Sequence, residues 1–177
     1  MLTAIIVIIV LAVAAVLGLA AMKPDTFRVR READIAAPPE KIFALLNDFH
    51  QWARWSPWEK MDPAMTRIHS GAIAGKGAIY AWEGNKKVGQ GRMEIVEAAP
   101  PSRLSIKLDF LKPFEAHNTA VFTLEEKGGS THVSWDMQGP ASFMVKLMHL
   151  FFNMDKMVGK DFEAGLANMK AVAEKQA

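Results

Sequence analysis

The sequence has 177 residues, a length typical of one domain with a short appendage, and it contains no cysteine, so disulfide bonds, thiol catalysis, iron–sulfur clusters and cysteine-ligated zinc are excluded. Its net charge of +2 is too small and too evenly spread to indicate a nucleic-acid partner. All 21 basic and all 19 acidic side chains lie after residue 22, which divides the chain into an uncharged segment, residues 1–22, and a globular domain, residues 23–177.

The first segment is predicted to be a transmembrane anchor. Residues 2–22 form an unbroken, mostly apolar run rich in Ile, Val, Leu and Ala. At about 1.5 Å of rise per residue, a helix of this length spans about 31 Å, close to the roughly 30 Å hydrocarbon core of a bilayer. A cleaved signal peptide is the alternative, with Gly18-Leu19-Ala20 as a weak cleavage site, but no basic residue precedes the apolar run.

The basic residues that flank this segment predict its orientation. Lys23, Arg28, Arg30 and Arg31 follow the segment, and no Lys or Arg lies before it. By the positive-inside rule, we expect a single-pass membrane protein whose C-terminal domain lies on the cytoplasmic side. The segment contains no charge, so we expect it to anchor the domain and not to form a transport path.

The globular domain begins with a predicted strand, residues 27–35, and a short amphipathic helix. Apolar residues recur with helical spacing over residues 42–49, and Pro39 suits the first position of that helix, where its missing N–H costs nothing. An aromatic loop, residues 52–58, follows. Its three tryptophans make it a candidate lip at the membrane interface, where tryptophan is enriched.

Strand-like segments separated by Gly, Pro and Asn follow this loop, and they cover residues 78–83, 88–97, 104–110, 116–125 and 131–138, with a weaker one at 65–69. After Gly139-Pro140 the chain has one long apolar stripe of helical period, with Ser142 as its N-cap and a bend or break near Asn153 or Gly159. Sequential antiparallel strands form one sheet, and only the long helix is large enough to cover its apolar face. We therefore predict an α+β domain in which a curved antiparallel sheet of about six to seven strands surrounds a long C-terminal helix and leaves a cavity.

Five segments resemble those of a known superfamily: APPEKIF (residues 37–43), WARWSPW (52–58), YAWEGN (80–85), FEAHNT (114–119) and KDFEAGL (160–166). Together with the helix-grip order of elements, they resemble the START-like (SRPBCC) superfamily, in its polyketide cyclase/dehydrase and lipid-transport branch, over residues 26–175. The resemblance implies a deep apolar cavity for a lipophilic small molecule. It implies no shared catalytic set, because the superfamily includes ligand carriers, lipid-transfer domains, cyclases and sensors.

The candidate ligand-binding residues are large side chains expected to face the cavity and one inward amide: Trp55, Trp58, Tyr80, Trp82, Phe110, Asn118, Trp135, Met137 and Phe151. Aromatic walls suit lipophilic ligands, although tryptophan is also typical of an ordinary core. Strand parity turns Asn118 inward, where it either orients the polar head of a ligand or caps the backbone at the start of the strand. Gly89 and Gly91 also face inward, and they either permit curvature or leave room for a ligand.

Metal and cofactor sites are not expected. The histidines lack the i, i+3 or i+4 pairing of a zinc helix, and the sequence contains neither a Gly-x-Ser-x-Gly elbow nor a phosphate-binding glycine loop. The first hypothesis is therefore a membrane-anchored START-like domain that binds or transfers a lipophilic molecule without catalysis.

Two alternatives remain. A cyclase, aromatase or dehydratase needs an acid–base pair in one cavity, and the nearest candidates are Glu83, His117, Asn118 and Asp109, although strand parity turns Asp109 outward. A ligand sensor or interaction module would be favoured by an exposed apolar patch on the outer face of the last helix.

Overall fold

In the computed structural model, which describes residues 2–175 without the side chains of His149 and Met154, four α-helices accompany one seven-stranded sheet. The helices are α1 (Leu2–Ala21), α2 (Pro39–Asn47), α3 (Phe143–Phe151) and α4 (Met154–Glu174), and two 3-10 segments, Phe49–Arg54 and Pro57–Lys60, follow α2. The strands are β1 (Thr26–Ile35), β2 (Thr66–Gly71), β3 (Ala78–Glu83), β4 (Gln90–Ala99), β5 (Arg103–Lys112), β6 (Ala116–Lys127) and β7 (Ser130–Pro140).

All seven strands belong to one antiparallel sheet in the order β1-β7-β6-β5-β4-β3-β2. Residues on the inner face alternate with more exposed ones, as along β6, where Asn118, Ala120 and Phe122 are buried. The pairing of β4 with β5 shifts register twice, and such bulges increase the bend and twist of a sheet. The prediction of a curved antiparallel sheet around a long C-terminal helix is confirmed, and the weak segment at 65–69 corresponds to the edge strand β2.

Helix α4 covers part of the concave face of the sheet. Phe162, Leu166, Met169 and Ala173 follow one another at helical spacing along α4, and all four are buried. The sequence suggested that the long helix alone covers this face. In the structure, α2 and the two 3-10 segments also bury apolar side chains there. The concave face is therefore covered by several short elements as well as one long one.

The C-terminal helical region is broken at Phe152-Asn153. Ser142 caps α3 by accepting a hydrogen bond from the amide of Val145 at 3.4 Å, and the side chain of Asn153 accepts one from the amide of Lys156 at 2.9 Å and caps α4. Of the two break points expected from the sequence, the Asn153 region is the one found.

Gly159 has a different role, because Arg31 of β1 crosses α4 at this glycine. A Cβ at Gly159 would overlap the guanidinium group. Arg31 then reaches Glu163 at 2.7 Å and Asp155 at 3.0 Å, and these hydrogen bonds raise the pKa of Arg31 above its usual value. The glycine therefore lets a strand-to-helix ion-pair network form.

Helix α1 projects from the domain and packs against α3 near its own C-terminal end. Ala20 is buried and Val16 is half-buried one turn earlier, whereas the large apolar side chains over the rest of α1 are exposed. Among residues 2–175, α1 is the one helix long and apolar enough to cross a membrane, with a mean hydropathy of 3.1.

Candidate ligand cavity

A cavity of about 490 Å³ lies between the inner face of the sheet, α3, the first half of α4 and the two 3-10 segments. This volume falls within the range of roughly 300–1,000 Å³ that is typical of small-molecule sites. Aromatic, aliphatic and methionine side chains form most of the wall. Phe114 of the β5–β6 turn and Met144 of α3 line the cavity and are also exposed, so they form part of its rim.

One side of the wall is built around Trp82 on β3. The Trp82 Nε1–H donates to the carbonyl of Val88 at 2.9 Å, and the ring meets Phe110 edge-on at 5.8 Å. The ring lies over Gly91, where a Cβ would overlap it. Gly91 therefore makes room for a side chain of the wall, whereas Gly89, with a φ of 65°, supplies a left-handed turn beside the first register shift of β4.

Tyr80 and Glu59 form a polar contact in the wall. The Tyr80 hydroxyl donates to Glu59 Oε1 at 2.5 Å, and Arg67 donates to Glu59 Oε2 at 2.7 Å. Burial raises the pKa of Tyr80 above its usual value, and the hydrogen bond to Glu59 adds to that effect. Both oxygens of Glu59 are thus engaged within the protein.

Trp135 on β7 lies where the cavity meets the filled part of the core. Its ring stacks on Phe162 of α4 with centroids 4.0 Å apart, and Trp58 contacts it edge-on at 5.7 Å. The Trp135 Nε1–H is buried without a hydrogen-bond partner among the described residues. Met137, two residues later on the same face, also lines the cavity.

Asn118 on β6 is a polar side chain in the cavity wall. It is 6 % exposed, and its Oδ1 accepts no hydrogen bond from the described part of the chain. Its oxygen lies beside Gly139 of β7, where a Cβ would overlap it. One expected role of Asn118 was to cap the backbone at the start of the strand. Its Oδ1 does not do so, because this atom accepts no hydrogen bond from a backbone amide.

Asp161 of α4 also faces the cavity, and burial raises the pKa of its carboxyl group. The sequence analysis missed both Asp161 and Glu59. Glu59 follows Trp58, and Asp161 follows Lys160. Nothing in the spacing of these two acids along the sequence distinguishes them from exposed acidic residues. Only the packing of α4 and the 3-10 segment against the sheet places these two carboxyl groups at the cavity.

Seven of the nine candidate residues line the cavity: Trp58, Tyr80, Trp82, Phe110, Asn118, Trp135 and Met137. The other two lie elsewhere. Trp55 is fully buried behind the wall, with its Nε1–H bound to the carbonyl of Leu45 at 3.1 Å. Phe151 is 68 % exposed, because the break after α3 separates it from the apolar stripe of α4.

The aromatic loop is not a lip, and this expectation was wrong. Trp52 and Trp55 are buried, and their indole N–H groups bind the carbonyls of Leu46 and Leu45 at the end of α2. Satisfying these buried donors holds the loop against the core. The exposed apolar side chains near the rim belong instead to α3 and the β5–β6 turn.

The acid–base candidates of the enzyme hypothesis do not converge. Of the four, only Asn118 lines the cavity. Glu83 is exposed, and Asp109 binds His117 at 2.7 Å on the outer face of the sheet, as strand parity predicts. Burial favours a higher pKa for Asp109, but hydrogen bonds from His117 and Lys107 outweigh it and lower that pKa.

Comparisons with solved structures agree with this architecture. Protein Ms6760 from Mycobacterium smegmatis is 21% identical, with 88% of this chain and 96% of that chain aligned and a TM-score of 0.60. Protein CV1439 from Chromobacterium violaceum is 16% identical over 85% of this chain and 99% of that one, with a TM-score of 0.58. The di-domain ARO/CYC protein BexL from the BE-7585A biosynthetic pathway is 16% identical over 89% of this chain and 53% of that one, with a TM-score of 0.59.

At these identities the structural likeness shows the fold alone. No curated protein matches the sequence. The family described as polyketide cyclase / dehydrase and lipid transport matches residues 26–174, which span β1 to the last residue of α4. With a helix-grip sheet, a closing helix and an apolar cavity between them, the chain belongs to this SRPBCC-type family.

Proposed function

We propose that this protein is a membrane-anchored binding protein that takes a lipophilic small molecule into the cavity, for storage or transfer and without catalysis. The observation that carries the proposal is the cavity of about 490 Å³ with its mostly apolar wall. Moving an apolar ligand from water into such a cavity gains roughly 0.8 kcal/mol for each buried methylene group. Met144 and Met148 add flexible side chains that adapt to ligands of different shape.

The packing of α1 supports a membrane-side opening. Helix α1 contacts α3, and its buried and half-buried residues, Ala20 and Val16, lie toward the end that leads into the domain. On this proposal α3 lies close to the point where α1 leaves a bilayer. Phe143 and Met144 begin α3 with exposed side chains, and Phe151, its last residue, and Phe152, which follows it, are also exposed. An exposed apolar surface at this place fits the lipid–water interface.

The exposed apolar patch on α3 is also compatible with the sensor hypothesis, which is favoured by an exposed apolar patch on the last helix. We assign this patch to the bilayer because it continues from α1 and reaches the cavity rim at Met144. Its proposed role is to let a lipophile pass from the membrane to the cavity without crossing water.

The proposed topology is a single span with the C-terminal domain on the cytoplasmic side, as the basic residues after α1 favour. Intact-mass measurement of the membrane-extracted protein distinguishes an anchor from a cleaved signal sequence. An anchor retains the mass of the full chain, whereas a signal sequence leaves a chain that begins after α1. Protease digestion of inside-out and right-side-out vesicles then identifies the exposed side of the domain.

Native mass spectrometry of the full-length protein in mild detergent tests the binding function. The wild-type protein is expected to retain a lipophile of defined mass. Leu108→Trp brings an indole ring into the cavity and should reduce the fraction of protein that retains this mass, whereas Val121→Trp brings the same ring to the outer face of the sheet and should not. Equal retention by Leu108→Trp, or an empty wild-type protein extracted directly from its membrane, contradicts the proposal.

A second candidate function is acid catalysis on the bound molecule, and Asp161 is the observation that favours it. A carboxyl group whose pKa is raised by burial in an apolar cavity is suited to act as a general acid. Incubation of the loaded protein tests this function. Loss of one water from the bound molecule in wild type but not in Asp161→Asn supports a dehydratase, and an unchanged mass supports binding alone.

A further inference from the structure

The charged side chains of the cavity wall are almost all acidic. Glu59 and Asp161 line the cavity from the covering elements, and Glu115 lies at its exposed rim. Among the described lining residues the one cation is Lys87, which is also exposed. The half-buried part of this wall, as far as the structure describes it, therefore carries carboxyl groups and no cation.

The two half-buried carboxyl groups differ in what they already bind. Tyr80 donates to one oxygen of Glu59 at 2.5 Å, and Arg67 donates to the other at 2.7 Å and balances its charge. Asp161 has neither a hydrogen bond nor an ion pair with another residue between 2 and 175. Asp161 is thus the inner carboxyl group whose charge the described residues leave unbalanced.

The carboxyl oxygens of Asp161 are accessible to a ligand. Asp161 is half-buried and lines the cavity, and neither of its oxygens is enclosed by packing as Asn118 Oδ1 is. Burial raises the pKa of Asp161, because its carboxylate loses part of its hydration. A ligand in the cavity can therefore reach a carboxylate that is partly dehydrated and unpaired.

Helix α4 holds Asp161 at a fixed place in the wall. Val158, Asp161 and Phe162 share one face of α4 by helical spacing, and all three line the cavity. Phe162 stacks on Trp135 with ring centroids 4.0 Å apart and meets Trp58 edge-on at 6.2 Å. The helix that carries the carboxyl group is thus packed against the sheet at the next residue, where aromatic rings offer a surface for an apolar ligand.

The head group of a ligand decides how it interacts with this carboxylate. An ammonium group beside Asp161 supplies the missing opposite charge, and its N–H groups donate charge-assisted hydrogen bonds. A hydroxyl head brings no charge. A carboxylate head adds like-charge repulsion to the cost of its own desolvation.

We infer that the cavity selects lipophiles with a cationic amine head, whose ammonium group pairs with Asp161 while the apolar body lies against the aromatic wall. This inference rests on the proposed binding function and names its ligand class. The apolar wall provides most of the affinity, and Asp161 decides between head groups.

Three probes that differ only in the head group test the inference: dodecylamine, dodecanol and dodecanoic acid. Each is titrated into the full-length protein in phosphatidylcholine nanodiscs at neutral pH, where the amine is protonated. Partition into protein-free nanodiscs is subtracted, and binding is read by native mass spectrometry. Dodecylamine should bind about fivefold more tightly than dodecanol and at least tenfold more tightly than dodecanoic acid.

Two variants assign the selectivity to its residue. Asp161→Asn keeps the size of the side chain and removes its charge, so dodecylamine affinity should fall about fivefold, to that of dodecanol. Dodecanol that is still bound shows that the cavity of the variant is intact. Glu115→Gln is the matched control, because it removes one charge from the exposed rim, where Glu115 already lies 3.3 Å from His117 Nε2, and it should keep the preference for the amine.

The outcomes separate the two proposals. Binding of none of the three probes overturns the lipophile-binding function itself. Equal affinities of the wild-type protein for dodecylamine and dodecanol overturn the head-group inference and leave the binding function standing, and this comparison decides the inference even if Asp161→Asn does not fold. A preference that survives Asp161→Asn, or that Glu115→Gln reduces equally, overturns the role given to Asp161.

Discussion

The two ends of the concave face are built from the same sheet, yet one end is filled and the other is hollow. At the filled end, α2, the aromatic loop and the middle of α4 bring Trp52, Trp55 and Phe122 into mutual edge-on or tilted contact, with centroids 4.7–6.3 Å apart. At the hollow end, the separate helix α3 and the β5–β6 turn border about 490 Å³ of empty space. The covering elements, and not the strand pattern, therefore decide where a cavity forms.

Trp135 marks the boundary between the two ends. It contacts Trp55 and Phe122 on the filled side, and it lines the cavity on the other. Its substitution would mix loss of packing with loss of ligand contacts. Trp55 lies at the filled end and Trp82 at the hollow end, so substituting each one alone separates the two effects.

The largest effect is expected from Trp55→Ala at the filled end. Removing this fully buried ring deletes contacts on several sides and leaves the Leu45 carbonyl without its donor, so the free energy of unfolding should fall by about 3–5 kcal/mol. Denaturant unfolding of the full-length protein, followed by circular dichroism in detergent, measures the change. A loss below about 1 kcal/mol would mean that this end is not close-packed.

Trp82→Ala is the counterpart at the hollow end. The ring borders open space, so its removal should enlarge the cavity and weaken binding of the retained lipophile about tenfold, with less destabilisation than Trp55→Ala. Native mass spectrometry of the retained lipophile, run beside the same unfolding measurement, checks both quantities. A variant that unfolds as readily as Trp55→Ala, or that retains the lipophile as wild type does, would remove the distinction between the two ends.

Phe151→Asp addresses the outer surface of α3 beside the hollow end. If this surface lies in the lipid interface, a charge placed there should slow loading of the retained lipophile in proteoliposomes several-fold, while its affinity at equilibrium stays the same. The matched control is Ile68→Asp on the edge strand β2, which is also exposed but lies outside α3. Equal loading rates for wild type and Phe151→Asp, or an equal slowing by Ile68→Asp, would argue against membrane docking through α3.

The smallest effect concerns Asp161 and pH. Its pKa is raised in the folded protein, so the folded state holds this proton more strongly than the unfolded state does. Stability linked to this proton is fully present below the unfolded pKa and is lost as pH rises through the folded pKa. At about pH 7 Asp161→Asn should therefore raise Tm by roughly 1–3 degrees, and the difference should vanish near pH 4. Thermal unfolding of both proteins across this pH range measures the difference in Tm. A difference that stays constant or changes sign would contradict a raised pKa for Asp161.

Much of the fold follows from local patterns. The alternation on β6 and β7, Pro39 at the start of α2 and Ser142 as the cap of α3 are short-range signals, and all of them appear in the structure at the expected places. The inward direction of Asn118 follows from the same period of two. These features depend on neighbours along the chain, which is why they can be derived without knowing what packs against them.

Other features depend on partners that are distant in sequence. Trp55 and Trp58 lie three residues apart in one aromatic loop, yet only Trp58 reaches the cavity. In the sequence, Phe151 continues the apolar stripe of the last helix. In the structure, a new helix begins after the cap at Asn153, and the side chain of Phe151 is exposed. The role of Gly91 on β4 depends on Trp82 of β3, and the role of Gly159 on α4 depends on Arg31 of β1.

The order of strands and helices, the apolar N-terminal helix and the family can all be derived from the sequence, because periodicity, composition and short motifs are local properties. Tertiary packing decides which of the aromatic side chains surround empty space, that Glu59 and Asp161 face it, and that Asn118 Oδ1 lies without a partner beside Gly139. Position in a cavity depends on how α3, α4 and the 3-10 segments rest on the sheet. That arrangement is the sum of many long-range contacts, and no local pattern encodes it.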